Sequence, residues 1–171
     1  MKKLPVDVSL VADMMCSNRY EIESYLDKET GEVIYFTEEM VPWEYREVER
    51  EELDELLADE NESTRNLVMQ VYEVYNDESD RYEEIPEIHF KPSYEDMREF
   101  VESIQDSKLR DKVLNQIQGT GAFRRFRTFL DYHAEYRKAW ISLLSNLKRQ
   151  EALNWLESID IEAIDTISEF W

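Results

Sequence analysis

One cysteine, Cys16, is all the thiol chemistry this chain holds in 171 residues, so no internal disulfide staples the fold and no cysteine cluster holds a metal. Cys16 lies on an apolar helical stretch, where a buried and inert thiol is expected rather than a nucleophile. Long apolar runs are missing too. Nothing approaches the roughly 18 apolar residues of a membrane-spanning helix, and the N-terminal residues have neither the apolar core nor the small-residue cleavage site of a secretory signal. The expectation is a cytoplasmic protein with no membrane association. The two histidines, His89 and His133, are far apart and outside any His-Glu-x-x-His pattern, and Asp77, Glu78 and Asp80 lack the spacing and central glycine of a calcium loop. No metal, cofactor or catalytic residue is assigned on these grounds, and the chain is read as leaning away from the enzymes.

Basic charge is scarce as well: 40 acidic residues face 20 basic ones, a net charge of -20. Such a balance repels nucleic acid and anionic membranes from the molecule as a whole. The imbalance is uneven along the chain. Residues 1–90 carry 26 acidic against 8 basic side chains, a balance of -18, whereas residues 108–149 carry 10 basic against 3 acidic, a balance of +7. We read one domain over 1–171, with an acidic N-terminal lobe (about 1–90) and a helical C-terminal lobe (about 91–171). Core material is plentiful: 4 Trp, 10 Tyr and 7 Phe supply large apolar areas that a disordered chain lacks.

Periodicity then suggests the elements. Val8, Val11, Ala12 and Met15 mark a short helix within Val6 to Cys16. Residues 19–26 and 32–36, joined by Asp27-Lys28-Glu29-Thr30-Gly31, read as a β-hairpin. Helices are expected over Glu44 to Ala58 and from Asn61 through Val74, although the valines at 68, 71 and 74 also suit a strand. Residues 76–92 read as a connector, with Pro86 and Pro92 favouring extended backbone. Ser93-Tyr94-Glu95-Asp96 resembles a capping box that opens a helix through Ile104. From there the chain reads as all-helical: Lys108 to Gln118, Ala122 to Tyr132, Tyr136 to Leu156, and Ile159 to Trp171 with Ile at 161, 164 and 167. The fold class is α+β, mainly α: an N-terminal β-hairpin with helices packed on a C-terminal helical bundle.

Two of the three glycines fall at Gly119-Thr120-Gly121, directly before Ala122-Phe123-Arg124-Arg125-Phe126-Arg127. This run, followed by Leu130, Trp140 and Trp155-Leu156, resembles the bacterial uncharacterised protein family (UPF) zero-one-five-eight. Tyr25-Leu26-Asp27 with Thr30-Gly31-Glu32-Val33 resembles the family's early hairpin, and Arg81-Tyr82 with Ile85-Pro86 its middle segment, so the resemblance extends over most of the chain. Thr120 stands where Lys is expected in many members. The resemblance implies a grouping by fold and no activity.

The glycine corner is a candidate anion site made of Gly119, Thr120, Gly121, Arg124, Arg125 and Arg127, because free N–H groups at a helix start and arginines in its first turn can hold a phosphate. The plainer reading is a helix-turn-helix corner whose arginines pair with the acidic lobe. Sequence-specific DNA binding is disfavoured, since Phe123, Phe126, Phe129 and Leu130 are spent on packing; RNA or a phosphate ligand remains. His133 and Arg137, four residues apart, form a second candidate, a polar cluster completed by a carboxylate; a helix break near Tyr132 that leaves both in solvent is the simpler alternative. Trp155, Ile159, Ile164, Ile167, Phe170 and Trp171 supply either core or a surface for a homodimer. The function expected first is a non-enzymatic binding or adaptor protein meeting a basic protein partner through its acidic lobe. Next come an RNA- or phosphate-ligand-binding protein using the corner, and an enzyme with a site near His133 and Arg137.

Overall fold

The computed structural model describes residues 1–16 and 21–165, which form an α+β fold, mainly α. Two compact units divide them: the described residues of 1–89 together with those from Arg149 onward, and Phe90–Lys148.

That first unit begins with a strand, β1 (Lys2–Val6), which pairs in parallel with β5 (Ile161–Asp165) in the register Lys2↔Ile161 and Leu4↔Ala163. Residues 161–165 were expected to be helical, and the strand corrects that. Asp160 takes a left-handed backbone conformation (φ 63°), which breaks the preceding helix, and its carbonyl accepts from the Lys2 N–H at 2.8 Å. Isoleucines three apart look helical, yet here Ile161 is buried while Ile164 faces outward, as alternation along a strand requires. Ile167, Phe170 and Trp171 lie outside the described residues. Pro5 is tolerated in β1 because its outer edge has no strand partner among the described residues. Asp7 then caps α1 (Val8–Cys16): its carboxylate accepts from the Leu10 N–H at 2.9 Å. Val8, Val11, Ala12 and Met15 are buried as their spacing predicts, against Leu26, Ala152 and Leu156.

The hairpin forms as expected from β2 (Ile22–Asp27) and β3 (Val33–Thr37); Arg19 and Tyr20 lie outside the described residues. Its turn closes on Gly31 at φ 82°, where an added Cβ would lie 2.4 Å from the Pro5 carbonyl oxygen, so both backbone conformation and space require glycine. A third strand, β4 (Tyr82–Glu84), joins β2 inside the stretch read as connector, giving the order β3-β2-β4. Arg81 explains it: its guanidinium grips the Asp27 carboxylate with Nε to Oδ1 at 2.9 Å and Nη2 to Oδ2 at 2.6 Å, pinning residues 81–84 beside β2.

The helix expected over Glu44 to Ala58 is split into a 3-10 turn at Trp43–Tyr45 and a helix, α2 (Arg50–Leu56). The reason is Arg46, whose side chain turns inward between them and is 1% exposed. Its Nε and Nη2 donate to the Val41 carbonyl at 3.0 and 2.7 Å, and Nη1 donates to Glu23 and to the Tyr75 hydroxyl at 3.0 and 3.1 Å. The rings of Phe36, Trp43 and Tyr75 surround the guanidinium, with centroids 5.0, 4.4 and 5.0 Å away. Tyr75 in turn donates its hydroxyl proton to Glu23, and burial together with that carboxylate pushes its pKa far above the ordinary tyrosine range. Asn61 caps α3 (Glu62–Tyr75), which settles the valines at 68, 71 and 74 as helical, with Val68 and Val71 buried against Phe36 and Leu53.

The second unit is helical. Ser93 and Asp96 make a reciprocal capping box at α4 (Tyr94–Glu102), and Asp106 caps α5 (Ser107–Gln116). Next come α6 (Ala122–Tyr132) and α7 (Ala134–Ser158), which runs on into the first unit's residues. Phe100, Phe126 and Trp140 meet edge to face with centroids 4.9 to 5.9 Å apart, and this aromatic knot is the centre of the unit's core.

Two outcomes follow from the first unit's buried charges. Arg46→Met strands the Val41 carbonyl and the Glu23 carboxylate, and urea unfolding is expected to show a loss of about 3–5 kcal/mol; Arg46→Lys recovers little, because an ammonium lacks the planar fork. Burial works against ionisation of Asp27, but the hydrogen bonds from Arg81 and from the Glu29 N–H outweigh it and lower its pKa to about 2. A folded value below the unfolded value of about 3.9 gives stability above pH 4 that is lost as pH falls toward 2, about 2 kcal/mol in all. Denaturation from pH 6 to 2 checks this, since Asp27→Asn is expected to start less stable and to lose that much less over the same range.

Candidate functional site

The short joint between α5 and α6 is shaped by one arginine. Gly119 and Gly121 both adopt left-handed conformations, at φ 73° and 82°, and so reverse the chain directly after α5. The last carbonyls of a helix have no intrahelical donors. Here Arg125 reaches back from the next helix: Nε donates to the carbonyl of Gln116, the last residue of α5, and in the turn beyond it Nη2 donates to Gln118 O at 2.7 Å and Nη1 to Thr120 O at 2.8 Å. A positive charge at the negative end of α5 is favourable in its own right. A Cβ on Gly121 would approach Arg125 Nη1 to 2.9 Å, whereas one on Gly119 would meet nothing within 4 Å.

Among the described residues no carboxylate lies within ion-pair distance of Arg124, Arg125, Arg127 or Arg137. Arg124 and Arg127 are exposed, as is Thr120, and Phe123 is more exposed than the other phenylalanines of α6. The chain breaks its helix at His133, with φ -134° and ψ 82°, which leaves Arg137 exposed on α7 but His133 half-buried.

Two helical stripes meet beyond the joint. On α6 and just past its end, Arg125, Thr128, Phe129, Tyr132 and His133 stand at i, i+3, i+4, i+7 and i+8, so they share one face. On α5, Leu109, Lys112, Val113 and Gln116 stand at i, i+3, i+4 and i+7. Together these nine residues line an open cavity of about 420 Å³. Its buried floor is Val113 and Phe129; Lys112, Gln116 and Thr128 are exposed along it, and no acidic side chain lines it.

His133 is oriented inside this arrangement. Its Nδ1 lies 2.8 Å from the Phe129 carbonyl, and since a carbonyl only accepts, Nδ1 carries a proton and the ring is held with its Nε2 edge turned from that carbonyl. The imidazole also leans on Phe129, with centroids 4.5 Å apart and 32° between the planes. Of the residues singled out from sequence, Arg125 and His133 come together at the cavity, while Gly119, Thr120, Gly121, Arg124, Arg127 and Arg137 do not line it. Lys112, Gln116, Thr128 and Tyr132 were missed. Their signal was present as a polar and aromatic helical period on both sides of the glycines, hidden because each stripe shares its positions with core residues.

The acidic unit has a cavity of its own, about 690 Å³, lined by Glu21, Glu23, Glu38 and Glu39 beside Thr37 and Pro42. Glu23 is already engaged by Arg46 and Tyr75. Among the described residues no group of three or more His, Cys, Asp or Glu is placed to hold a metal ion, and no helix is long and apolar enough to cross a membrane.

The model of the Uncharacterised protein family (UPF0158) matches residues 56–168, which include the whole second unit and its cavity. The chain belongs to this family. The early hairpin, residues 22–37, precedes the matched span. No curated protein and no solved structure matches the chain. For this UPF0158 chain the corner is a stability element before it is anything else. Arg125→Ala is expected to lower the unfolding free energy by about 1.5–3 kcal/mol, the range for hydrogen bonds that involve a charged group, and Arg125→Lys to restore only part of it. Urea denaturation of the three proteins measures both effects.

Proposed function

We propose that this protein is a cytoplasmic binding protein whose α5–α6 cavity holds a small ligand carrying a phosphate or similar anionic group. The observation that carries this reading is the convergence of Lys112 and Arg125 on one cavity with no acidic side chain in its lining. A guanidinium has five N–H donors. Three of the Arg125 donors hold the corner's carbonyls, so the group is fixed in place with donors to spare. Lys112 adds a mobile charge, and the Thr128 hydroxyl and Gln116 amide add neutral donors. Such a set binds and orients an anion; nothing in it requires turnover.

A net charge of -20 does not oppose this. At physiological ionic strength charges are screened over about 8 Å, so a ligand that has reached the cavity responds to the local sign, which is positive over residues 108–149. The overall charge acts mainly on approach, slowing large polyanions more than small ones. The adaptor reading rests on charge alone by comparison, because the acidic cavity adds carboxylates of which one is already paired.

Titration calorimetry with inorganic phosphate and pyrophosphate, at low and moderate salt, tests the proposal. Saturable binding is expected, weaker at higher salt, and reduced about tenfold by Lys112→Glu. Lys112 is exposed, so circular dichroism of the variant is expected to match the parent. A folded parent protein that takes up neither anion at millimolar concentration overturns the proposal.

A further inference from the structure

Charge does not describe the whole cavity. An inorganic anion needs donors and little else, and a bare phosphate fills only a fraction of about 420 Å³, a volume inside the roughly 300–1,000 Å³ range of small-molecule sites. Much of this one is built for something apolar and flat. Val113 and Phe129 form a buried apolar floor, and Tyr132 and His133 bring two more planar rings to its edge.

The polar and aromatic parts are also separated in space. Arg125 donates to the Gln116 carbonyl, which fixes the cationic end next to the glycine joint. Tyr132 and His133 follow Arg125 by seven and eight residues, about 10–12 Å along the helix at 1.5 Å per residue. Lys112, one turn before Gln116, lies between. The side chains therefore grade from cation through mixed to aromatic along one groove. Tyr132 is 82% exposed. A phenol left in water at the rim of an apolar floor has one free face on which a ring can stack, and stacking on tyrosine is tolerant of ring identity.

We infer that the ligand is a nucleoside monophosphate or a compound of that class: a phosphate at the Arg125 and Lys112 end, joined through a sugar-sized spacer to a planar ring against Phe129, Tyr132 and His133. This rests on the reading of the cavity as an anion site and goes beyond it by naming what the anion is attached to. A mononucleotide fits better than an RNA chain. The groove is one ligand long, and the chain's net charge of -20 penalises a polyanion far more than a dianion.

The experiment compares inorganic phosphate, ribose 5-phosphate, adenosine 5′-monophosphate and a short single-stranded RNA by calorimetry, on the parent protein, Lys112→Glu and Tyr132→Ala. The expected result is that the nucleotide binds about tenfold more tightly than ribose 5-phosphate, a difference typical of one stacked ring. Tyr132→Ala then removes that difference and leaves ribose 5-phosphate affinity unchanged, while Lys112→Glu weakens both. Because Tyr132 is exposed, the circular dichroism of Tyr132→Ala is expected to match that of the parent. Saturation-transfer NMR adds a second readout, with the adenine protons expected to be saturated in the parent and not in Tyr132→Ala. If ribose 5-phosphate and the nucleotide bind equally and Lys112→Glu weakens both, the ring is overturned and the anion site stands. If none of the phosphates binds, the anion site itself falls and the inference with it. RNA bound when the nucleotide is not overturns the inference in favour of a nucleic-acid surface.

Discussion

A helix that ends in a tight reversal leaves carbonyl acceptors that no backbone donor reaches, and the second unit depends on how they are satisfied. Arg125 reaches back from the first turn of α6 to the carbonyls of Gln116, Gln118 and Thr120. That one guanidinium ties the end of α5 to the start of α6, so the rotation of each helix about its axis is no longer free. Once both rotations are fixed, the stripes at 109, 112, 113, 116 and at 125, 128, 129, 132 must face each other. The cavity is a consequence of the cap.

The same device recurs in the acidic unit with another outcome. Arg46 also turns two donors toward a backbone carbonyl, that of Val41, and satisfies a loop that would otherwise bury a bare acceptor. There the guanidinium is closed over by Phe36, Trp43 and Tyr75 and balanced by Glu23, so no donor faces a groove. Arg81 completes the set by clamping Asp27 and drawing β4 onto the hairpin. In a chain with half as many basic as acidic residues, these arginines hold structure in place, as does Arg65, whose Nη2 donates to the carbonyls of Leu57, Ala58 and Glu60. Arg125 differs from Arg46 and Arg81 in having no carboxylate within ion-pair distance among the described residues.

What was legible in the sequence follows a physical line. Local signals held: the capping box at Ser93, the helix of α1, and the hairpin turn at Gly31 each depend on residues a few positions apart. Elements that depend on a distant partner were not legible. Residues 161–165 become a strand only because Lys2–Val6 offers an edge, and residues 82–84 only because Arg81 finds Asp27. Arg46 was hidden for the same reason, since a charged residue in a charged stretch gives no sign that a box of aromatic rings from three other segments will enclose it. The candidate site was half legible. Its arginine and histidine stood out by type, whereas Lys112, Thr128 and Tyr132 qualify by facing direction, which requires knowing that α5 and α6 are paired across the joint.

The two glycines of the joint are not equivalent, and the difference locates the constraint. Gly119 needs only its positive φ, since the space around a Cβ there is empty; asparagine, which tolerates the left-handed region, satisfies that requirement. Gly121 needs its positive φ and is also crowded, because a Cβ there would come within 2.9 Å of Arg125 Nη1, which would have to shift. A side chain at 121 therefore strains the backbone and presses on the Nη1 that donates to the Thr120 carbonyl. Thr120 between them contributes its carbonyl rather than its side chain. A lysine there keeps the backbone acceptor intact and places a further cation beside the joint, so the position that departs from the expected family pattern is one at which the cap is indifferent to the side chain.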